Sequence, residues 1–366
     1  MTIKHAARAL ILASIALVAC DDDKPPPSPA RRPKPAVAKV PASASARAVA
    51  SSSAAAPKVD PPKRIGEGVG LGKVIALHGD YVYWVVRAGA TCTDKPEICG
   101  TASDGSIQRA PKEGGVPKEV VGSLYTPASL AFDDKNVLWT MCGFVDYVQR
   151  CQVTMAPQEG GKRQVLFDAG PDLVENVNWV GDRAIWAEPG KNRIQASDTK
   201  QGKPAVFSKT GDVTDVFAFG NTVYWTEGRA LTPDGAVKQA PAGGEASTLA
   251  AKRRLPHLIT ADEKHVYWVE TAETKAGEPD KVIVRVDVAG GEPKTVVSGL
   301  SYIDDIAVAG DRLVFVTADS VAWVPKSGGE PRTLASKLTS PHGAAADETH
   351  AFWIADDKVW RIEFPK

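Results

Sequence analysis

Histidines and carboxylates recur at two neighbouring positions of an internal sequence repeat. Each lies ten or eleven residues before a repeated aromatic residue. They are, in chain order, Glu175, Asp215, His257, Asp304, Asp305 and His342. Imidazole and carboxylate groups bind zinc and other first-row metals, and they also act as general acids and bases. If the fold brings these side chains together, they could bind a cation or a small polar ligand, or catalyse a reaction.

The aromatic residue that defines the repeat returns at steps of roughly forty residues, a period typical of solenoids and propellers. With the residue before it, it forms a two-residue aromatic mark. The copies of the mark are Tyr83-Trp84, Leu138-Trp139, Ile185-Trp186, Tyr224-Trp225, Tyr267-Trp268, Val314-Phe315 and Phe352-Trp353. A large ring repeated at one strand position packs between neighbouring units and buries about 150–250 Å². We therefore predict that the tryptophans of the mark are core residues.

Each repeat contains short segments with the pattern of β-strands. In the fifth repeat these are HLITA, HVYWVE, KVIVRVDV and PKTVVSG, with Gly290-Gly291 before the last segment. Alternating apolar residues indicate half-buried strands, and a double glycine between two such runs indicates a hairpin. Four antiparallel strands per repeat are typical of propeller blades. The sequence therefore predicts an all-β, seven-bladed β-propeller, with six or eight blades as the alternatives.

In a propeller the first strand of every blade lines a central channel, so we expect the candidate side chains at the channel mouth. The column after them is uniformly apolar, as a layer between blades should be, and reads Ile75, Leu130, Val177, Val216, Ile259, Ile306 and Ala344. Two interpretations remain open. The side chains converge on a ligand or a divalent metal, or they are polar because the channel mouth is wet. No motif requires a cofactor.

The last repeat contains only three strand segments before the chain ends at Lys366. Residues 64–71, RIGEGVGL, precede the first repeat and align with outer strands such as RTLASKL. We predict that this segment pairs with Lys358–Phe364 and closes the ring, because an unpaired sheet edge would otherwise remain open. Residues 64–366 would then form the propeller.

The N-terminus has the features of an export signal. Basic residues precede a short apolar run in residues 1–19, as in a secretory signal peptide. The segment Leu17-Val18-Ala19-Cys20 resembles the bacterial lipobox, which implies cleavage before Cys20 and attachment of acyl chains to it. The alternative is an ordinary signal peptide with a coincidental cysteine. Residues 20–63 are rich in proline, alanine and serine, and we expect a disordered tether.

The chain contains five cysteines, and four remain once Cys20 is assigned to lipid attachment. Cys92 and Cys99 bracket one short segment, and Cys142 and Cys151 bracket another. In an oxidising compartment each pair can close a local loop, so we predict disulfides Cys92–Cys99 and Cys142–Cys151. A four-cysteine zinc site is the alternative, but the CxxC spacing typical of such sites is absent.

Composition excludes several functions. The formal net charge is zero in 366 residues, which argues against a nucleic-acid partner. The sequence lacks the GxSxG, HExxH and GxxxxGK[ST] motifs of hydrolases, metalloproteases and phosphate-binding loops.

The segments VYWTE around Trp225 and VYWVE around Trp268 resemble the repeats of YWTD-type and NHL-like β-propellers. The resemblance covers roughly residues 64–366, although YWTD propellers usually have six blades and Glu227 and Glu270 replace the aspartate. It implies a ligand-binding or protein-binding ring and no catalytic residue. We therefore predict a lipoprotein of the bacterial cell envelope, anchored in a membrane through Cys20, whose propeller binds a protein or glycan. The alternative is a propeller enzyme of the lyase, lactonase or hydrolase type, with its site at the channel mouth.

Overall fold

The chain folds into seven antiparallel sheets of four strands each, arranged as the blades of a propeller. The structure, a computed structural model, describes residues 60–70, 72–87, 105–145, 148–198, 204–229, 231–272 and 280–365. The predicted all-β, seven-bladed fold is confirmed. Within these ranges the only helix is a single 3-10 turn at Pro189–Lys191, and no helix has the length and apolar character that crossing a membrane requires.

In blades 1 to 6 the strands run outward from the propeller axis in chain order, and in blade 7 a strand from the start of the propeller is added outermost. Blades 1 and 2 contain β2 (Ile75–His78), β3 (Tyr81–Val86), β4 (Gly105–Pro111), β5 (Lys118–Leu124), β6 (Pro127–Phe132), β7 (Asn136–Val145), β8 (Val148–Pro157) and β9 (Gln164–Gly170). Blades 3 and 4 contain β10 (Glu175–Val180), β11 (Arg183–Glu188), β12 (Arg193–Asp198), β13 (Ala205–Lys209), β14 (Val213–Phe219), β15 (Thr222–Glu227), β16 (Gly235–Pro241) and β17 (Ser247–Arg253). Blades 5 and 6 contain β18 (His257–Ala261), β19 (His265–Ala272), β20 (Asp280–Asp287), β21 (Lys294–Leu300), β22 (Asp305–Ala309), β23 (Arg312–Val316), β24 (Ser320–Pro325) and β25 (Arg332–Ser336). Blade 7 contains β26 (His342–Ala346), β27 (His350–Ala355), β28 (Lys358–Glu363) and, as its outermost strand, β1 (Lys63–Glu67).

The outer strand of blade 7 comes from the N-terminal end of the propeller. β1 pairs antiparallel with β28, with Lys63 opposite Arg361 and Glu67 opposite Lys358. The strand is shorter than the predicted segment because it ends at Glu67, before a left-handed glycine at Gly68. Side-chain contacts also cross the boundary between blades 7 and 1, which we call the seam. Arg361 of blade 7 donates to the carbonyl of Lys112 at 2.8 Å and to Glu113 at 2.7 Å, both in blade 1.

The tryptophans of the aromatic mark fill the spaces between blades. All six have no exposed surface, which confirms the core prediction; they are Trp84, Trp139, Trp186, Trp225, Trp268 and Trp353. Each packs against the preceding blade: Trp268, for example, lies with Val237 and Leu249 of blade 4. The blade interfaces are therefore built by one large ring each, as the repeat period predicts.

A glutamate two residues after the mark completes two of these interfaces. Residues i and i+2 of a strand lie on the same face, so the carboxylate can reach the indole of its own mark. Trp225 donates its ring N–H to Glu227, and Trp268 donates to Glu270, both at 2.8 Å. A basic side chain neutralises each carboxylate: Lys238 pairs with Glu227 at 2.9 Å. Glutamate in place of the aspartate of the YWTD repeat thus satisfies a buried N–H.

The Cys142–Cys151 disulfide is present and links residues directly opposite each other in β7 and β8. This pair was predicted from its spacing. Cys92 and Cys99 lie outside the described residues, as do Cys20 and the segments up to residue 59 that the sequence predicts to be a signal peptide and a tether.

Candidate functional site at the channel mouth

The innermost strands of the seven blades surround the propeller axis. They are β2, β6, β10, β14, β18, β22 and β26, and each packs beside the next, including β26 beside β2. All begin at the same end of the channel, which we call the mouth. Glu175, His257, Asp305 and His342 are the first residues of their strands. Asp304 immediately precedes β22, and Asp215 is the third residue of β14. The fold thus brings the candidates to one end of the ring.

Two of the candidate carboxylates hold neighbouring blades together. Asp215 in blade 4 accepts the N–H of Val216 at 2.8 Å and that of Ile259 in blade 5 at 2.9 Å. Asp305 in blade 6 accepts, at 2.8 Å each, the N–H of Ile306 and that of Ala344 in blade 7. These carboxylates therefore belong to the framework of the ring.

Each of these bonds between blades depends on a β-bulge in the blade that supplies the N–H group. Leu258 and Gly343 adopt left-handed backbone with φ of 50° and 62°, and the strand register shifts at both positions. The N–H of the following residue is thereby freed from its own sheet and donates to the carboxylate of the preceding blade. Glycine is needed at 343 for a second reason, since a Cβ there would lie 2.6 Å from the carbonyl oxygen of Lys73.

Blades 2 and 3 are joined in the same way, but the acceptor is a serine hydroxyl instead of a carboxylate. Asn176 has φ of 52°, and the next N–H, that of Val177, donates to Oγ of Ser129 at 3.0 Å. Ser129 also shares a hydrogen bond of 2.8 Å with Thr140. Ser129 was not among the candidates, although it occupies the same column as Asp215 and Asp305. The signal that could have identified Ser129 is its position in the repeat, because a side-chain acceptor there faces a bulge in the following blade.

Enclosure of the two framework carboxylates changes their acidity. Part of each residue reaches solvent, but the carboxylates themselves lie between strands. Burial raises the pKa of Asp215 to about 7 despite its two N–H donors, and the charge of Glu175 adds to the increase. Burial likewise raises the pKa of Asp305 to about 7, with further increases from Asp304 and Asp215. The carboxylates of blades 3, 4 and 6 therefore interact electrostatically across the mouth.

Asp304 and His342 are in direct contact. Nδ1 of His342 lies 3.0 Å from Asp304, which also accepts the hydroxyl of Tyr302 at 2.9 Å and the N–H of Gly343 at 3.1 Å. In a neutral imidazole, a carboxylate on Nδ1 fixes the proton there and leaves Nε2 as an acceptor. Among the described residues, Nε2 of His342 has no hydrogen-bond partner.

His257 contacts neither Asp304 nor His342. Its Nδ1 lies 2.9 Å from the carbonyl oxygen of Leu255, and burial lowers the pKa of its imidazole. The carboxylate of Glu175 has no hydrogen bond or ion pair within the described part of the chain. In that same part, histidine, cysteine, aspartate and glutamate side chains form no group of three that could hold a metal ion. The candidates therefore share a location but do not form one cluster.

A cavity of about 430 Å³ opens beside the mouth, on the side of blades 1–4. Val74, Leu130 and Phe217 form its apolar walls, and Glu175 and Asn176 contribute polar groups. This volume lies within the range of roughly 300–1,000 Å³ of small-molecule sites. Of the candidates, only Glu175 lines this cavity.

The two faces of the ring differ. At the mouth face the second strand of each blade ends and the third begins, and the numbers of residues between these strand ends are largest after Val86, Glu227 and Ala272. The opposite face, which we call the turn face, carries short turns capped by aspartates. At one of them Asp262 accepts the N–H groups of Lys264 and His265, both at 2.8 Å.

Comparisons with known proteins agree on the fold. No protein-family model matches the chain, and no curated protein matches it. The β-propeller domain of the trilobed protease from Pyrococcus furiosus, described as having an open velcro topology, has a TM-score of 0.58 at 10% identity, covering 81% of this chain and 94% of that one. Acylaminoacyl peptidase from Pyrococcus horikoshii has a TM-score of 0.58 at 13% identity, and the match covers 82% of this chain and 52% of the peptidase.

A chain of a nidogen–laminin complex matches 63% of this chain and 80% of its own length at 17% identity, with a TM-score of 0.44. At such identities the likeness is one of fold alone. A shared propeller fold does not determine function.

Proposed function

We propose that this chain is a binding module of the bacterial cell envelope, and that its propeller docks a protein partner on the mouth face. The observation that carries the proposal is the placement of exposed apolar side chains. Of the eight large apolar residues that are exposed among the described residues, three lie in connections of the mouth face, namely Leu173, Leu231 and Tyr302, whereas one, Val116, lies in a connection of the turn face. Connections between strands carry binding residues more often than the strands that position them.

The chemistry of this face favours a protein over a glycan. Leu231 is 56% exposed and Tyr302 is 45% exposed. Burying such side chains against an apolar partner gains about 25 cal/mol for each Å² removed from water. Tyrosine is also enriched in the centres of protein interfaces. On the turn face, successive strands of a blade are separated by at most six residues.

A membrane anchor at Cys20 would hold this module at its site of action. The support is the lipobox resemblance and the proline-rich composition of the tether. Two or more acyl chains suffice for stable anchoring, since each buried CH₂ contributes about 0.8 kcal/mol. Labelling with radioactive palmitate tests the anchor: the wild-type chain should take up label and remain in the membrane fraction, and Cys20→Ser should do neither. Label retained in the variant would contradict the proposal.

Site-specific photocrosslinking in cells tests the docking face. A photoreactive amino acid is placed at Leu231 or Tyr302 in the full chain, and a matched probe is placed at Val116, which is 89% exposed on the turn face. We expect a discrete adduct from the two mouth-face probes and none from the control. The same adduct from all three positions, or an adduct from Val116 alone, would exclude the mouth face as the docking surface.

A second candidate function is acid–base catalysis at the channel mouth, favoured by the contact between Asp304 and His342. A neutral histidine whose Nδ1 is held by a carboxylate presents Nε2 as a general base. Turnover of lactones, esters and uronate-containing glycans can be compared between the wild type and His342→Ala. An activity that falls at least about 100-fold in the variant, in protein that keeps its thermal unfolding midpoint, would support catalysis. Equal rates in both proteins would exclude this role for His342.

A further inference from the structure

The cavity of about 430 Å³ beside the mouth has a divided lining. Val74 of blade 1, Leu130 of blade 2 and Phe217 of blade 4 supply hydrocarbon and aromatic surface. Polar groups enter from blade 3 through Glu175 and Asn176. A ligand that fills this space must therefore carry an apolar body and a polar group at one end.

Several polar groups of the lining are already satisfied by the fold. Ser129 and Thr140 bond to each other, and the side-chain amide of Asn178 donates to the carbonyl of Val216 and accepts the N–H of Ala218, each at 2.9 Å. These groups hold blades 2 to 4 in register. They are not available to a ligand without breaking bonds between blades.

Glu175 and Asn176 are available. Neither the carboxylate of Glu175 nor the side-chain amide of Asn176 has a hydrogen-bond partner in the described ranges. Glu175 also has no basic partner there, whereas Glu188, Glu227 and Glu270, at strand ends on the same face, all form ion pairs. A carboxylate that stays unpaired in a concave, partly apolar site can form a charge-assisted hydrogen bond with a cation.

The negative charge of Glu175 disfavours an anionic ligand. Glu175 raises the pKa of Asp215 through its negative charge, so the two groups interact. An anion in the cavity would meet Glu175 directly. A metal ion would lack ligands, since histidine, cysteine, aspartate and glutamate side chains form no group of three among the described residues.

We propose that this cavity, which we call the channel cavity, binds a small organic cation. Its ammonium group lies against the carboxylate of Glu175 and the amide oxygen of Asn176. Its apolar body packs against Val74, Leu130 and the ring of Phe217, and the ring face also attracts the positive charge. This site is separate from the exposed apolar side chains proposed to dock a protein partner.

Benzylamine and benzyl alcohol are suitable probes because they share an apolar ring and differ in charge at neutral pH. Their dissociation constants can be measured by calorimetry on the full chain, in the wild type and in Glu175→Gln. Glu292→Gln serves as the matched control, since Glu292 is an exposed glutamate on the turn face. We expect benzylamine to bind the wild type and the control equally, and to bind Glu175→Gln about tenfold or more weakly. Benzyl alcohol should bind all three proteins weakly and alike.

Methyl NMR on the wild type gives a second readout that does not depend on a variant. Benzylamine should shift the methyl resonances of Val74 and Leu130 and show contacts between its ring and those methyls. The proposal is overturned if benzyl alcohol binds as tightly as benzylamine, if Glu175→Gln binds benzylamine as tightly as the control, or if benzylamine does not bind the wild type. Shifts confined to other methyl groups would also overturn it.

Discussion

The carboxylate of Asp305 in blade 6 accepts the backbone N–H of Ala344 in blade 7 at 2.8 Å. The same relationship joins Asp215 to Ile259 between blades 4 and 5, and Ser129 to Val177 between blades 2 and 3. Each acceptor faces a bulge in the next blade. Side chains that resemble a metal or catalytic site in the sequence thus serve in part to fasten the ring around its channel.

Removing the acceptor at Asp305 should destabilise the propeller more than removing its charge. Asp305→Ala leaves the N–H groups of Ile306 and Ala344 without an acceptor, which costs about 1–3 kcal/mol for each buried group that stays unsatisfied. Asp305→Asn keeps one oxygen acceptor and no longer buries a charge. Urea unfolding at pH 8 should therefore rank the asparagine variant above the alanine variant in free energy of unfolding. An alanine variant as stable as the wild type would show that the bond between blades contributes nothing.

The stability of the propeller should depend on pH through Asp215 and Asp305. The folded state raises the pKa of each carboxyl from the ordinary value of 3.8 to about 7. Between these values the folded protein binds more protons than the unfolded chain, so this contribution is lost as the pH rises from about 4 to 7. Glu175 and Asp304 supply the neighbouring negative charges that favour the protonated forms.

Chemical unfolding at pH 5, 6, 7 and 8 measures this dependence. The free energy of unfolding of the wild type should fall with pH relative to that of the double variant Asp215→Asn, Asp305→Asn, in which neither position titrates. Parallel curves for the two proteins would mean that these carboxyls keep ordinary acidity in the folded state.

Glu270 should contribute to stability through both of its partners. It accepts the indole N–H of Trp268 at 2.8 Å and pairs with Arg253. Glu270→Gln keeps an acceptor for the indole, whereas Glu270→Ala leaves a buried N–H and an arginine without partners. We expect Glu270→Ala to lower the free energy of unfolding by about 2–4 kcal/mol and Glu270→Gln to have a smaller effect. The exposed Glu292→Ala should stay within about 0.5 kcal/mol of the wild type, and a Glu270→Ala variant with a similarly small effect would refute the argument.

The repeat and its core were predictable from the sequence because the tryptophans recur with the period of a blade, and a ring of that size has to be buried. The Cys142–Cys151 pair was also predictable, since a short segment between two cysteines can close as a hairpin. The roles of Asp215 and Asp305 were not, because both depend on left-handed backbone in the following blade. Asn176 and Gly343 are residue types that favour that conformation, but Leu258 gives no such signal. The channel cavity depends on side-chain sizes in four different blades, which no local pattern reports.

Closure of the ring should depend on β1 and not on the tether before it. Ile65 and Val69 are buried, with 4% and 0% exposed surface, and pack with Trp84 and Val359 across the seam between blades 7 and 1. Deleting residues 64–71 removes the outer strand of blade 7, exposes this cluster and leaves β28 as an open edge. Deleting residues 24–60 leaves the paired strand in place.

Limited proteolysis of the two deletion proteins, with the wild type alongside, tests this expectation. The protein without residues 64–71 should be degraded faster because its seam opens more often, whereas the protein without residues 24–60 should yield the same resistant propeller fragment as the wild type. Arg361→Ala provides a milder perturbation of the same seam, since it removes the contacts with Lys112 and Glu113 and keeps the strand pairing. Its degradation rate should fall between those of the wild type and the 64–71 deletion. Equal resistance of the two deletion proteins would mean that the ring holds without its N-terminal strand.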